Sequence, residues 1–213
     1  MTYKLFYSPG SAAMAAHAMM IEMGVKAAFV LIDNEKNEQK SATYMKLNPH
    51  GRVPTLIYDD NRVMYESAAI CEFLTERHPE AKLAPAIGHA DRGLYLQWMA
   101  YLTNTVQEAL MHWWHNEYFV DGAAEQAKVK AKAEERLGKM WAFLDGELAK
   151  SGPYLCGSTW YACDYFLAML IRWTRKMPTP GHTYPHLNKL VRAAMARPAY
   201  AQMLKDEGIE QPV

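Results

Sequence analysis

The feature that most constrains the fold is a change of pattern near residue 80. Before this point, short apolar runs alternate with helical segments in the order β-α-β-α-β-β-α. After a connector that contains proline and glycine, the chain shows long helical patterns and almost no strand signal. We therefore expect an α/β domain at residues 1–80, a linker at 81–90 and an all-helical domain at 91–213.

The elements of the first domain follow from apolar runs and from the residues that end helices. The strand candidates are YKLFYS, KAAFVLID and a β-hairpin, RVPTLIYDDNRVMYES, with Asp60-Asn61 in its turn. The helix candidates are SAAMAAHAMMIEMG, which a glycine ends, QKSATYMKLNP, and ESAAICEFLTERHP, which a proline ends.

Long helical segments make up the second domain. They are ADRGLYLQWMAYLTNTVQEALMHWWH, GAAEQAKVKAKAEERLGKMWAFLDGELAKS and ACDYFLAMLIRWTRKM, and YPHLNKLVRAAMARPAYAQML adds one or two more. The third segment is very apolar, which predicts a buried, central helix.

Composition and charge exclude several classes of function. Lys and Arg total 23, and so do Asp and Glu, and no basic stretch is long enough for a nucleic-acid interface. The sequence shows no signal segment and no run of membrane-spanning length, so we expect a soluble, cytoplasmic protein with no membrane partner. Its cysteines lack CxxC spacing and are expected to be reduced and mostly buried; they are Cys71, Cys156 and Cys163.

The segment NPHGRVPTL places a proline directly before an apolar strand. Pro54 cannot donate to a sheet, so it must lie at a strand start or in a turn. This is the usual setting for a cis bond, although an ordinary trans proline is the commoner arrangement. In the cis form, the backbone of Val53 would be available to pair with an extended ligand.

Two further segments place hydroxyl groups where helices are expected to begin. Ser67 follows Glu66 at the end of the hairpin, and Ser11 follows the first strand. Each serine can simply cap its helix. The same position also suits an anion, because free N–H groups and the helix dipole attract negative charge. With Glu66 available for an ammonium group, the Glu66-Ser67 pair could hold both ends of an α-amino acid.

These segments together resemble the glutathione-binding half of cytosolic glutathione transferases. The matching motifs are LFYSPGSAAM, NPHGRVP and YESAAICEFL, and YLCGSTWYACDYFL resembles a motif of the helical half with its helix-nucleating Asp, here Asp164. The resemblance covers nearly the whole chain and is nearest to the bacterial beta class. It implies a thioredoxin-like domain followed by a helical bundle, glutathione as co-substrate, no metal, and a homodimer.

Carried over to this sequence, the resemblance implies roles for six residues. Val53 would bind the cysteinyl backbone of glutathione, next to a cis Pro54. Glu66 and Ser67 would bind the γ-glutamyl end. Arg52 and His50 would contact other polar groups of the tripeptide.

The sequence departs from the beta class where that class carries a cysteine, because the position is Ala12. A mixed disulfide with glutathione is excluded there, and the sulfur contact falls to a hydroxyl. We rank Ser11 first, Ser8 second and Tyr7 third, since Ser11 is expected at a helix start. A second departure is Tyr161, which replaces the Ser or Thr that usually caps the helix of Asp164; Asp164 is expected to accept from nearby backbone N–H groups instead.

The chemistry needs no metal. A free cysteine thiol has a pKa of about 8.5, and lowering it by about two units requires about 2.7 kcal/mol. A hydrogen bond to a charged group supplies about 1.5–3 kcal/mol, and a helix start about 0.3–1 kcal/mol more. One hydroxyl is therefore sufficient for a thiolate that attacks an electrophilic, mostly apolar second substrate.

The segment LMHWWHNEYF is the candidate for the second-substrate pocket. Trp113 and Tyr118 would supply aromatic walls and His112 a polar point, although the tryptophans could equally be core or interface residues. Two alternatives to a transferase stay open: a glutathione-dependent reductase of disulfides or peroxides, and a non-enzymatic adaptor such as the stringent starvation proteins.

Overall fold

A computed structural model describes residues 2–211 of the chain. By compactness the chain forms two units: one holds the described residues up to 86 together with 195–211, and the other holds residues 87–194. The predicted domain functions, with glutathione on residues 1–80 and a second substrate on 91–213, stay predictions.

The first unit is built on a four-stranded mixed sheet. Its strands are β1 (Tyr3–Tyr7), β2 (Ala27–Leu31), β3 (Thr55–Tyr58) and β4 (Arg62–Tyr65), in the spatial order β2-β1-β3-β4. β2 pairs parallel with β1, whereas β3 pairs antiparallel with both β1 and β4. All four strands and the hairpin were predicted from their apolar runs.

The register of this sheet places the predicted site residues at one end. Phe6 pairs with Thr55, and Thr55 pairs with Tyr65. Beyond these pairs lie Tyr7, which is the last residue of β1, and Pro54 and Glu66, which lie directly outside β3 and β4. Three segments that are far apart in sequence thus end side by side, and this comes from backbone pairing alone.

Three helices follow these strands: α1 (Met14–Glu22), α2 (Ala42–Met45) and α3 (Ser67–Arg77). α1 is buried along the whole run from Met14 to Met20, which explains its alanine and methionine content, because small and flexible side chains fill a helix surrounded by protein. The helix begins at Met14, so the prediction that it starts at Ser11 is wrong by three residues. Ser11 lies in the turns before it, where the Met14 amide donates to the Ser11 carbonyl at 3.2 Å.

The second unit is helical. It contains α4 (Arg92–Tyr101), α5 (Glu108–Trp114), α6 (Ala123–Ser151), α7 (Ala162–Trp173) and nearly all of α8 (Pro185–Ala196). α4 and α5 are joined by a π-helical turn, Leu102–Gln107, so the single predicted helix is continuous but locally widened.

α7 confirms the prediction of a buried, central helix. Every residue from Ala162 to Arg172 is buried. The carboxylate of Asp164 accepts from the amides of Leu155 and Tyr161, at 2.9 Å in each case. Asp164 therefore stabilises the start of α7 through backbone N–H groups, as predicted, and it also fixes the preceding loop.

The last helix, α9 (Pro198–Asp206), belongs to the first unit and packs on α1. Arg197, directly before α9, forms an ion pair with Glu22 at the end of α1. The C-terminal segment thus completes the α/β unit, a feature that the sequence patterns did not predict.

Candidate functional site

The first loop, residues 8–13, uses the two serine hydroxyls differently. Ser8 is 3% exposed, and its hydroxyl donates to the carbonyl of Ile32 at 2.6 Å. Because a hydroxyl has one hydrogen to donate, the hydrogen of Ser8 is already used in this bond to the residue that follows β2. Its role in this geometry is to join the first loop to the sheet.

The Ser11 hydroxyl has the opposite arrangement. Its oxygen accepts from the amides of Ser8, at 3.4 Å, and Ala13, at 3.3 Å. In the part of the chain that the structure describes, its hydrogen has no acceptor. Ser11 is partly exposed, so two backbone amides orient a hydroxyl whose hydrogen is available to a ligand.

The start of α3 is bonded directly to the first loop. The hydroxyl of Ser67 donates to the carbonyl of Ala12 at 2.5 Å, so the start of α3 is held against the residue that follows Ser11. Glu66 precedes the helix with φ 77° and an exposed side chain. Positive φ is uncommon for a residue other than glycine, and such residues concentrate at functional sites.

The segment before β3 is fixed by side chains that pattern reading missed. The Val53-Pro54 peptide bond is cis. Tyr44 and Asn48, both buried, donate to the carbonyl of Arg52 at 2.8 Å and also bond the hydroxyl of Thr55. Asn48 was interpreted only as the end of a helix, although an asparagine before a Pro-x-Gly turn is well suited to bond backbone groups.

Val53 is left with an unused backbone. Among residues 2–211, neither its amide nor its carbonyl forms a hydrogen bond, since the ladder of β3 begins at Thr55. Its neighbour Arg52 uses its carbonyl for the two bonds above and leaves its guanidinium exposed. The chain here therefore offers an edge to an extended ligand, as a strand would.

His50 lies beside this edge. Its ring is exposed and meets the ring of Tyr65 edge to face at 5.3 Å. Gly51 between His50 and Arg52 has φ +57°, and a Cβ there would lie 2.8 Å from the carbonyl oxygen of Gln39. Only glycine fits this close approach, which fixes the turn that carries His50 and Arg52.

A carboxylate from the C-terminal segment also holds the first loop. Glu207 is 4% exposed; one oxygen accepts from the Gly10 amide at 2.7 Å, and the other pairs with His17 Nδ1 at 2.9 Å. His17 is fully buried and stacks on Phe29 at 4.0 Å. The sequence shows no local signal for this contact, because 197 positions separate Gly10 from Glu207.

Tyr7 is poorly suited to donate to a thiolate. It is buried, and its ring lies 5.2 Å from that of His17. Burial raises the pKa of Tyr7, and the nearby carboxylates Glu207 and Asp206 raise it further. A phenol with a raised pKa is a weaker acid, and hence a weaker partner for an anion.

The aromatic segment, residues 112–119 in the second unit, places its three predicted pocket residues in different surroundings. Trp113 is 5% exposed and donates from its indole N–H to Glu134 at 2.7 Å. Tyr118 is 60% exposed and stacks on His115 at 4.9 Å. His112 stacks on Phe119 at 3.8 Å and bonds Glu108 at 3.0 Å.

His112 lines a pocket. This pocket lies between α5 and α6 and has a volume of about 320 Å³. Its apolar lining residues are alanines and a valine, and all its ionisable lining residues are basic; the lining consists of Ala109, His112, Lys128, Val129, Lys132, Ala133 and Arg136.

The remaining chemical features are few. Cys71, Cys156 and Cys163 are free and buried, as predicted. Residues 2–211 contain no cluster of three or more metal-binding side chains. No helix within that range is both long and apolar enough to span a bilayer.

Comparison with known proteins places both halves of the chain in one family. Residues 11–77 match the glutathione S-transferase N-terminal domain, and residues 107–207 match its C-terminal domain. Glutathione S-transferase GstA of Escherichia coli O157:H7 is 25% identical over 210 residues, which is 97% of this chain and all of that protein.

Solved structures of glutathione transferases support the same family assignment. A sphingomonad glutathione S-transferase complexed with glutathione superposes with a TM-score of 0.84 at 28% identity, covering 97% of this chain and 99% of that one. A Sulfitobacter glutathione transferase homologue with bound glutathione reaches a TM-score of 0.89 at 23% identity, over 98% and 99% of the chains, and this likeness shows the fold. A thioredoxin-like domain followed by helices is thereby confirmed, and the chain belongs to the glutathione S-transferase family.

Proposed function

We propose that the protein is a glutathione transferase in which the Ser11 hydroxyl stabilises the thiolate of bound glutathione. The observation that carries this proposal is the contrast between the two hydroxyls of the first loop. Ser8 donates its hydrogen to Ile32, whereas Ser11 accepts from two amides and keeps its hydrogen available. Ser11 can therefore donate to a sulfur anion without breaking a bond in the protein.

The rest of the cradle fits the tripeptide. The exposed Glu66 carboxylate suits the ammonium group of the γ-glutamyl end, and the first turn of α3 at Ser67 suits its carboxylate. The unused backbone of Val53, beside Pro54, suits the cysteinyl amide and carbonyl. Arg52 and His50 are exposed next to this edge and suit the remaining carboxylate and polar groups. All these residues belong to the first unit.

In this proposal, the lowering of the glutathione thiol pKa comes mainly from the Ser11 hydroxyl. Since α1 begins at Met14, Ser11 lies outside the first helical turn, where the dipole falls off. A hydrogen bond to a charged group contributes about 1.5–3 kcal/mol. This lowers a thiol pKa by about one to two units from its usual value of about 8.5. A useful fraction of bound glutathione is then ionised near neutral pH.

The reaction is a substitution or addition by this thiolate. The sulfur electron pair forms a C–S bond to an electrophilic carbon of a mostly apolar second substrate. In a substitution, the leaving group departs with the electron pair of its bond. In an addition, the electron pair of the π bond moves to the neighbouring atom, which takes a proton from solvent. In both cases the thiol proton has already passed to solvent. The protein supplies orientation and charge stabilisation, and no metal takes part in this scheme.

The absence of a thiol at residue 12 favours transfer over covalent redox chemistry. Ala12 stands where beta-class relatives carry a cysteine, and an alanine cannot form a mixed disulfide with glutathione. The resemblance of the motifs places the protein near that class although it lacks the cysteine, and we expect a cytoplasmic homodimer with a role in detoxification.

Calorimetric titration with glutathione tests the proposal. We expect one site per chain with binding at or below millimolar ligand, and about tenfold weaker binding for Glu66→Gln, which removes the charge offered to the ammonium group. Glu35→Gln, an exposed acid in the loop after β2, is the matched control and should bind as the wild type does. No binding at millimolar glutathione would contradict both enzymatic hypotheses and favour an adaptor.

A rate measurement then separates the two enzymatic readings. With an aryl halide and glutathione we expect formation of a thioether, which requires both substrates. If the protein instead turns over only disulfides or peroxides, the reductase reading replaces the transferase.

A further inference from the structure

Two of the three cysteines, Cys156 and Cys163, lie side by side at the start of α7, and glutathione transfer uses neither. Both are free and buried. The carboxylate of Asp164 explains their proximity, because it accepts from the Leu155 amide at 2.9 Å. Cys156 directly follows Leu155, and Cys163 directly precedes Asp164. This one bond therefore holds the two cysteines next to each other.

The two side chains also meet directly. The thiol of Cys163 is in contact with the thiol of Cys156, and its sulfur lies 3.9 Å from an oxygen of Asp164. A disulfide forms only where two cysteine side chains approach each other closely, and here the fold itself supplies the approach. The third cysteine, Cys71, lies on α3 in the first unit and serves as an internal comparison.

The two thiols differ in their access to solvent. Cys156 is 6% exposed and lies in a tight turn, in which Tyr154 and Gly157 exchange backbone hydrogen bonds at 3.0 and 3.1 Å. Residues 158–159, which follow this turn, are exposed. Cys163 is 0% exposed, in the first turn of α7. A local opening of the surface turn thus gives a small reagent access to Cys156 first.

The protonation of Cys163 gives the same order of reaction. Burial raises the pKa of the Cys163 thiol, and the neighbouring Cys156 and Asp164 raise it further. Because the thiolate is the reactive form of a cysteine, Cys163 is a poor first nucleophile. Its position against Cys156 suits it to the second step, in which the partner sulfur has already been oxidised.

We propose that Cys156 and Cys163 form an oxidation site, at which a peroxide converts the thiol pair to an intramolecular disulfide. In the first step, the Cys156 thiolate attacks a peroxide oxygen and the O–O bond breaks. The product is a sulfenic acid, and the departing hydroxide takes up the thiol proton as water. In the second step, the Cys163 sulfur attacks the sulfenic sulfur, the S–O bond breaks, and the hydroxyl group leaves with the Cys163 proton as a second water.

The electrons balance in this scheme. Two thiols lose two electrons and two protons, and one hydrogen peroxide is reduced to two molecules of water. A small peroxide is the class of oxidant that the burial of the pair favours, since a bulky disulfide has little access to a sulfur in this turn. The proposal goes beyond glutathione transfer and does not depend on it, because the pair lies in the second unit.

The disulfide has a structural consequence at the start of α7. It joins the turn around Cys156 covalently to the first turn of the helix, where Asp164 already bonds the same loop. Closing a loop restricts the unfolded chain and thereby stabilises the folded one. We expect the oxidised protein to melt about 5 °C above the reduced protein.

Peptide mapping tests the proposal. The folded protein is treated with millimolar hydrogen peroxide, unfolded in N-ethylmaleimide and digested without reductant. Trypsin releases both cysteines on residues 151–172, and chymotrypsin cuts between them, after Trp160 or Tyr161. We expect the two chymotryptic fragments to stay linked until dithiothreitol is added, while Cys71 carries the alkyl label. Labelled Cys156 and Cys163, sulfinic or sulfonic acids in their place, or a link to Cys71 would overturn the proposal.

Substitutions assign the two steps. Cys163→Ala should stop the reaction at a sulfenic acid on Cys156, which dimedone labels. Cys156→Ser should leave Cys163 as a thiol that is alkylated after unfolding. Cys71→Ala is the matched control and should form the disulfide to the same extent as wild type. Oxidation of Cys163 in the Cys156→Ser variant would overturn the assigned order, and the mapping of wild type stands even if a variant fails to fold.

Thermal unfolding tests the consequence for stability. Peroxide also oxidises methionines, but dithiothreitol reduces a disulfide and leaves methionine sulfoxide unchanged. The comparison is therefore between peroxide-treated protein before and after dithiothreitol. A fall of about 5 °C on reduction is expected, and it should be absent in Cys163→Ala. Equal melting temperatures before and after reduction would overturn the stabilising role of the cross-link.

Discussion

The first loop and the aromatic segment show opposite outcomes for similar sequence evidence. Both were singled out because polar or aromatic side chains cluster within a few residues. In the loop, Ser67 bonds the residue that follows Ser11, with Val53 and Glu66 at the same end of the sheet. In the aromatic segment, Trp113 is buried whereas Tyr118 is exposed.

The difference lies in what positions the residues. The loop residues are placed by strand register, which backbone hydrogen bonds determine and short motifs reveal. The residues of the aromatic segment are placed by their phase on a helix, where neighbours point about 100° apart. Tyr118 also lies beyond the end of α5, in a 3-10 turn. Strand register therefore brings residues from different segments to one end of the sheet, whereas residues that are close in sequence at the end of α5 point in different directions.

The contact that should matter most for the loop is the one with Glu207. Glu207→Ala removes the carboxylate that accepts from the Gly10 amide and pairs with the buried His17 ring, so we expect about 3–5 kcal/mol less stability. Urea unfolding measures the change. Asp206→Ala, at an exposed neighbouring acid, should stay within about 0.5 kcal/mol of wild type.

If Glu207→Ala were as mild as Asp206→Ala, the loop would be held by the sheet alone. Strand register alone would then explain why the first loop and the aromatic segment differ. A large loss shows instead that the C-terminal segment shares in positioning the loop.

Trp113→Ala sharpens the other side of the comparison. The side chain is 5% exposed and its indole bonds Glu134, so its removal leaves a cavity and should cost about 3 kcal/mol or more. Tyr118→Ala removes a side chain that is 60% exposed and should cost less than about 0.5 kcal/mol. Thermal unfolding of both variants gives the comparison, and equal losses would show that Tyr118 is packed after all.

Much of the fold was accessible from sequence because its elements are locally encoded. The four strands, the hairpin and the long helices follow from periodicity, and Asp164 was correctly expected to bond backbone amides. The start of α1 was misplaced because Ser11 resembles a cap, whereas the helix begins with an N-cap, Ala13, that makes no side-chain bond.

The site was accessible only in part. Its motif residues could be named, but the buried contacts of Tyr44, Asn48 and Glu207 could not. Each joins segments through side chains whose meeting depends on tertiary packing, and Glu207 comes from the far end of the chain. The choice between Ser8 and Ser11 likewise required knowing which hydroxyl had already donated its hydrogen.

That choice is open to direct test. Ser11→Ala should raise the pKa of bound glutathione by about one to two units and lower turnover at neutral pH about tenfold or more. Ser8→Ala loses a buried bond to Ile32 and should cost about 1 kcal/mol of stability, with turnover unchanged. Ultraviolet absorbance of the thiolate against pH measures the first effect. Wild-type turnover in Ser11→Ala would shift the sulfur contact to another group.

The smallest expected effect concerns three exposed charged residues on α6, namely Glu135 and its partners Lys132 and Lys139. Lys139 and then Lys132, through hydrogen bonds at 2.9 and 3.0 Å, lower the pKa of Glu135 from 4.5 to about 2. Because the folded pKa is depressed, the stabilisation is present above the ordinary pKa and is lost as the pH falls from 4.5 towards about 2.

Melting temperatures between about pH 5 and about pH 2 test this for wild type and Glu135→Gln. The melting temperature of wild type should exceed that of Glu135→Gln by a small amount at about pH 5, and this difference should shrink as the carboxylate is protonated. High salt should remove most of it, because exposed ion pairs are screened. If the difference in melting temperature between wild type and Glu135→Gln stayed constant with pH, the two lysines would not stabilise the ionised carboxylate of Glu135. Charge positions on this helix surface would then be less predictable than residue positions at the end of the sheet.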